Sequence, residues 1–206
     1  VKMNINLIAA VDNVWGIGKN NELPWEISED LKYFSKITIS SNYNKKNVVV
    51  MGRKTWESIP EKNKPLVDRT NIIITSKSLI TKMNDDIKVI NNLDNLETYF
   101  KKNKNLINKI FIIGGSQLYE TSIKRFNLNK IYLTRISYNY NCDTFFPFET
   151  LRRKKLELVK SSFSNVICKK LNKKINISFD VFLIKKNNEE KNYLNLIKKI
   201  LNNKNN

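Results

Sequence analysis

The sequence predicts an α/β fold: a central mixed, mostly parallel sheet with flanking helices, closed by a C-terminal antiparallel hairpin. Three observations predict it. Apolar, β-branched runs recur along the chain, amphipathic helical patterns alternate with the early ones, and a turn at Asn172-Lys173-Lys174 lies between the last two runs. Strands that alternate with helices are joined by crossovers and therefore pair in parallel, whereas a short turn permits only antiparallel pairing.

The first strand spans residues 5–11. A helix is predicted over 28–39, with Ser28 as N-cap, Asp30 in the first turn, and Leu31, Phe34 and Ile37 on one face. Strands at 48–51, 71–75, 87–90, 109–113 and 130–136 follow, interleaved with helices at 54–58, 93–101 and 117–125. The closing hairpin takes 163–171 and 177–184. Residues 1–185 form one domain on this reading. The polar stretch 185–191 reads as a linker, and Tyr193, Leu194, Leu196, Ile197, Ile200 and Leu201 recur as on an amphipathic helix, so 186–206 stand apart.

Composition excludes several chemistries. The 206 residues contain no His, which removes His-dependent nucleophilic catalysis and His-ligated zinc or iron. Cys142 and Cys168 alone can make neither a zinc site nor a disulfide framework, so no metal is expected, and a reducing, cytosolic setting is. The apolar run 5–11 is interrupted by Asn6 and ends at Asp12, too short for a signal sequence or membrane span.

The net charge is +18, of which +11 falls in residues 151–206. Such an excess first suggests nucleic acid, but the basic runs lack interleaved aromatics for stacking. A chain dominated by 31 Lys, 32 Asn and 26 Ile, residues with A- and T-rich codons, reaches this charge without any partner. Charge alone decides nothing.

Glycine is more informative. There are only five, against about 7% in average proteins. They occupy three places, each after a strand: Gly16 and Gly18 in VWGIGKNNELPW, Gly52 in VVVMGRKTWESIP, and Gly114-Gly115 in IFIIGGSQLYE. The last two places open helices, whose N–H groups favour anions. Two such ends suit a dinucleotide, although the spacing is neither a Rossmann fingerprint nor a Walker A loop.

Ile8-Ala9-Ala10, Gly16-Ile17-Gly18 with Leu23-Pro24-Trp25, Asp30 through Phe34, Met51-Gly52-Arg53-Lys54-Thr55-Trp56 with Ser58-Ile59-Pro60, Ile113-Gly114-Gly115 with Tyr119, and Asp143-Thr144-Phe145-Phe146-Pro147 resemble dihydrofolate reductase in order and spacing across residues 4–184. The resemblance implies hydride transfer from NADPH to C6 of dihydrofolate with protonation at N5. It makes Asp30 the anchor of the pterin, with Trp25, Leu23 and Thr134 as its catalytic neighbours. Substrate contacts fall to Ile8, Ala9, Leu31, Phe34, Ile59, Leu66, Ile113 and Tyr119, and Arg69 takes the folate carboxylate. A carboxylate in a partly apolar pocket is also the acid–base group that physical chemistry leaves to a chain without His.

For NADPH, the resemblance implies Ala10, Ile17 and Gly18, then Gly52, Arg53, Lys54 and Thr55. It adds Ile74, Thr75, Ser76 and Lys77 near the adenosine 2′-phosphate. Gly114 and Gly115, joined by a cis peptide, lead into Ser116, Gln117 and Leu118. NADPH is expected over NADH because NADH would leave cations unpaired. Asn21 stands where many relatives carry Gly, and Asn tolerates the left-handed backbone such a turn needs. The segment 189–203 resembles the opening of thymidylate synthase, implying a possible covalent fusion; otherwise a monomer is expected. A basic nucleic-acid module and a reductase acting on a related pterin or riboflavin precursor are the alternatives. Asp30, Phe34 and Arg69 together fit folate better.

Overall fold

A computed structural model of the protein describes residues 3–40, 42, 44–77 and 85–185. Ten strands are described: β1 (Ile5–Val11), β2 (Gly16–Gly18), β3 (Lys46–Gly52), β4 (Arg69–Ile74), β5 (Ile87–Ile90), β6 (Ile107–Gly114), β7 (Lys130–Ile136), β8 (Thr144–Phe145), β9 (Leu156–Cys168) and β10 (Lys173–Ile184). Five α-helices accompany them: α1 (Ser28–Thr38), α2 (Arg53–Ser58), α3 (Leu93–Lys102), α4 (Ser116–Arg125) and α5 (Phe148–Leu151).

Eight strands form one sheet in the order β5-β4-β3-β6-β1-β7-β10-β9. From β5 to β7 every pairing is parallel, and β10 then pairs antiparallel with both β7 and β9. The predicted class therefore holds. Strands β1 and β3 are apolar on both faces because helices cover both faces of a parallel sheet. One face packs Leu7, Val50 and Ile112 against Phe100 of α3 and Ile123 of α4. The other packs Ile8, Val49, Met51 and Phe111 against Phe34 of α1 and Trp56 of α2. A third cluster, including Trp25, Ile27, Ile136, Tyr140 and Ile177, fills the antiparallel end. Fully buried side chains such as Phe100 and Phe111 each contribute about 1.5–3 kcal/mol.

Two local expectations change, and some short elements are added. Ser28 is the first helical residue rather than the N-cap; Ile27 holds the cap position in extended conformation, with no side-chain cap bond. Ile27 is fully buried in the third cluster, so its packing sets where the helix starts. The predicted strand 163–171 is really Leu156–Cys168, and Lys169–Leu171 form a 3-10 turn before left-handed Asn172 (φ 47°). The N-terminal half of this edge strand, residues 157–163, is exposed on both faces and so lacks the alternating apolar signal of a packed strand. The short pair β2–β8 and α5 were too brief to leave a periodic pattern. Residues 186–206, with the predicted linker and helix, lie outside the described residues.

Candidate active site

Asp30 lies in the first turn of α1 and is buried. Burial pushes its carboxyl up to about 6, while a Thr134 hydroxyl hydrogen bond, and then the Trp25 indole, favour the ionised form. The indole Nε1 has no direct partner of full hydrogen-bond geometry among the described residues, so its effect is the weaker, longer-range one. Thr134 comes from β7 and Trp25 from the segment before α1; three pieces of chain thus meet at one carboxyl. Asp30 also helps raise the pKa of Tyr119 and of Tyr33, the latter to about 12, though burial is the main cause in both. The Tyr119 hydroxyl donates to the Ile8 carbonyl at 2.8 Å, which joins α4 to β1 beside the carboxyl.

Phe34, Ile59, Leu66 and Ile113 are half-buried around Ile8 in one cluster. These side chains form a largely apolar wall beside the buried Asp30 carboxyl, the arrangement that orients a flat heterocycle. Ala9 is buried on the opposite face of β1, Leu31 is exposed, and Leu23 is exposed where Trp25 is buried.

Arg69 is only 3% exposed, unlike a surface arginine at a strand start. Its Nε donates to Val67 O and its Nη1 to Thr38 Oγ1, both at 2.8 Å, and its guanidinium lies 5.8 Å from the Phe34 ring centre. Burial lowers its pKa, yet guanidinium stays charged at any physiological pH. Asn71 supports this corner: its Oδ1 accepts from Leu66 N at 3.0 Å and its Nδ2 donates to Leu66 O at 2.9 Å. Thr38 and Asn71 carry no signal in the sequence, because each acts on a segment folded beside it.

The expected cofactor residues gather at two adjacent helix starts. Gly52 caps α2 and Gly115 caps α4, neither with a side-chain cap bond. A Cβ at Gly52 would lie 3.9 Å from Gly114 O and Gly115 N, and one at Gly115 would lie 3.4 Å from Thr55 Oγ1. Gly114–Gly115 is a cis peptide, and Gly114 has φ 118° with the Tyr119 ring 3.2 Å from where a Cβ would stand. Helix N–H groups close together, over glycines that clear the approach, fit a diphosphate. Lys54, Ser76 and Lys77 are exposed, Gln117 likewise, and Ser116 Oγ donates to Phe145 O at 2.6 Å. Thr75 Oγ1 accepts from Lys77 N at 3.0 Å, shaping that turn. Leu118 is buried in the core and Ile74 packs against it; Ala10 packs against the third cluster.

Arg53 departs from the expectation that NADH would leave cations unpaired. Its Nη1 pairs with Glu57 at 2.5 Å, one turn along the same helix, so Arg53 is not an unpaired cation. The first loop keeps its turn without glycine: Asn20 and Asn21 have φ 52° and 61°. Lys19 and Glu22 exchange two 3.0 Å backbone bonds across them, a two-residue hairpin of the mirror-image type.

The model of the family described as dihydrofolate reductase matches residues 4–182. A dihydrofolate reductase of Drosophila melanogaster is 41% identical over 149 residues, covering 70% of this chain and 80% of that one. One from Schistosoma mansoni is 39% identical over 154 residues, covering 70% and 78%. A viral dihydrofolate reductase of Saimiriine herpesvirus 2 is 39% identical over 162 residues, covering 74% and 72%. The alternative of a related pterin reductase loses its ground. With its sheet order, its buried Asp30 and its paired glycine-capped helix starts, the chain belongs to the dihydrofolate reductase family.

Proposed function

We propose that Asp30, flanked by Thr134 and Trp25, anchors the pterin and governs proton delivery in the family reaction, the NADPH-dependent reduction of dihydrofolate to tetrahydrofolate. The carrying observation is a carboxyl buried beside an apolar wall, pushed up to about 6 by that burial. It is mostly ionised at neutral pH and accepts hydrogen bonds from the pterin amino group and N3. That pairing raises the basicity of N5. NADPH, when bound, supplies the hydride.

Phe34 and Ile59 hold the heterocycle and the aminobenzoyl ring between them, and Leu66 and Leu31 close the sides. The carbonyls of Ile8 and Ile113 face the pterin edge. Arg69, its Nε and Nη1 fixed by Val67 and Thr38, takes the substrate carboxylate, a pairing that a planar guanidinium makes with two N–H groups and an ammonium cannot. Gly52–Thr55 and Gly115–Leu118 hold the diphosphate, and Thr75, Ser76 and Lys77 the 2′-phosphate. Ile17 and Gly18 cover the nicotinamide side and exclude water.

The resemblance of segment 189–203 to the opening of thymidylate synthase supports reading the chain as the reductase part of a longer, cytoplasmic protein; residues 186–206 lie outside the described residues. Sequencing the full transcript tests this extension: termination soon after Asn206 eliminates it. For the site, Asp30→Asn is expected to lose most turnover at neutral pH while NADPH binding stays within twofold. Turnover near the wild-type rate refutes the role given to Asp30.

A further inference from the structure

The loop between β1 and β2 is organised by a buried acid that neither the substrate nor the cofactor reading uses. Asp12 is 2% exposed. Its Oδ1 accepts from the amides of Val14 at 3.0 Å and Gly16 at 2.7 Å. Its Oδ2 accepts from the amide of Tyr140 at 3.1 Å and from Cys142 Sγ at 3.6 Å. Burial, and then Asp12 itself, push the Cys142 thiol up to about 11, so it remains a donor. One carboxylate therefore ties the chain before β2 to the segment before β8.

Between the two amides held by Oδ1 sits Trp15, with φ 69°. A bulky residue in that region is strained by about 1–3 kcal/mol and persists only where surrounding contacts overdetermine it. Here they do. Trp15 N donates to Asp12 O at 3.1 Å, the indole stacks on Phe148 at 4.0 Å, and Phe146 N donates to Trp15 O at 2.8 Å. Immediately after it, Gly16 packs so closely that a Cβ would fall 2.5 Å from Cys142 Sγ. Gly16–Gly18 then pair with Thr144–Phe145.

We propose that Asp12 is a positioning residue for hydride transfer: through the Val14, Gly16 and Tyr140 amides, its carboxylate holds Trp15 in the left-handed conformation and so aims Ile17 and Gly18 at the nicotinamide side. This rests on the reading of Ile17 and Gly18 as cofactor contacts. Asparagine cannot substitute, because either amide orientation turns an NH2 toward one pair of donors.

The test uses Asp12→Asn in the full chain, with Asp12→Glu as a second variant that keeps the charge and displaces the acceptors by one methylene. Three readouts apply: the indole resonance of Trp15 among the three tryptophans, the KM for NADPH, and the deuterium isotope effect on kcat with labelled NADPH. Asp12→Asn is expected to shift the Trp15 resonance, raise the KM for NADPH at least tenfold and increase the isotope effect. The affinity of the free enzyme for a folate-analogue inhibitor should stay within about twofold. Asp12→Glu should fall between wild type and Asn, and it carries the test alone if Asn does not fold. A lower melting temperature with unchanged KM and isotope effect overturns the proposal and leaves Asp12 as ordinary scaffolding. Ile17→Ala separates the two premises. If it raises the KM while the Asp12 variants do not, only the role of Asp12 fails; if all are silent, the cofactor reading of the loop fails with it.

Discussion

Exchanging Asp30 for Asn is expected to stabilise the ligand-free fold at neutral and alkaline pH while removing turnover. In the folded chain the carboxyl titrates at about 6 instead of the ordinary 3.8, because burial disfavours its charge. The folded state thus holds this proton more tightly than the unfolded one. Its contribution to stability is complete below pH 3.8 and is lost as pH rises through about 6. Above both values the ionised group costs the fold about 3 kcal/mol, less whatever the amide gives up in weaker hydrogen bonds. At pH 5 the same shift costs about 1.6 kcal/mol, so the advantage of Asp30→Asn should grow by about 1.4 kcal/mol between pH 5 and pH 8. Urea denaturation of both proteins across that range measures it, since all other titrations are common to the two. A stability difference that does not change with pH, or one that favours the wild type more strongly at pH 8, refutes the placement of a buried, isolated carboxyl at this position.

Further outcomes follow from the same geometry. Thr134→Val removes the hydrogen bond that lowers the Asp30 pKa, so the pH–rate limb assigned to Asp30 should move above about 6; a downward shift contradicts the contact. Arg69→Lys loses the planar fork and should raise the KM for dihydrofolate roughly 10- to 100-fold with the NADPH KM unchanged, read by steady-state kinetics. Gly114→Ala meets both a φ of 118° and the Tyr119 ring at 3.2 Å and should lose NADPH affinity or solubility, checked by fluorescence titration. Asp180 is fully buried and binds Arg135 at 2.6 Å and Ser161 at 2.5 Å. Asp180→Ala should cost about 3 kcal/mol in chemical denaturation, toward the lower end for a broken buried pair because Arg135 is half exposed.

Much of this protein is decided by sequence alone. Buried parallel strands must be apolar on both faces, so β1 and β3 announce themselves, and helices between them force the crossovers. Of the five glycines, two stand where a Cβ is not tolerated, Gly16 against Cys142 and Gly114 against Tyr119. The absence of His directs attention to a carboxylate. Tertiary structure alone decides the rest. Whether Asp30 is a solvated first-turn acid or a buried one depends on Thr134, more than a hundred residues away, and on where Ile27 packs. Arg69 reads as a surface arginine at a strand start until its burial and its bond to Thr38, 31 residues away, are seen. Asp12 reads as the polar end of a strand, yet the folded chain encloses it among four donors from two loops. Burial and partnership are properties of position in space, and local pattern carries them only when the partners are also neighbours in sequence.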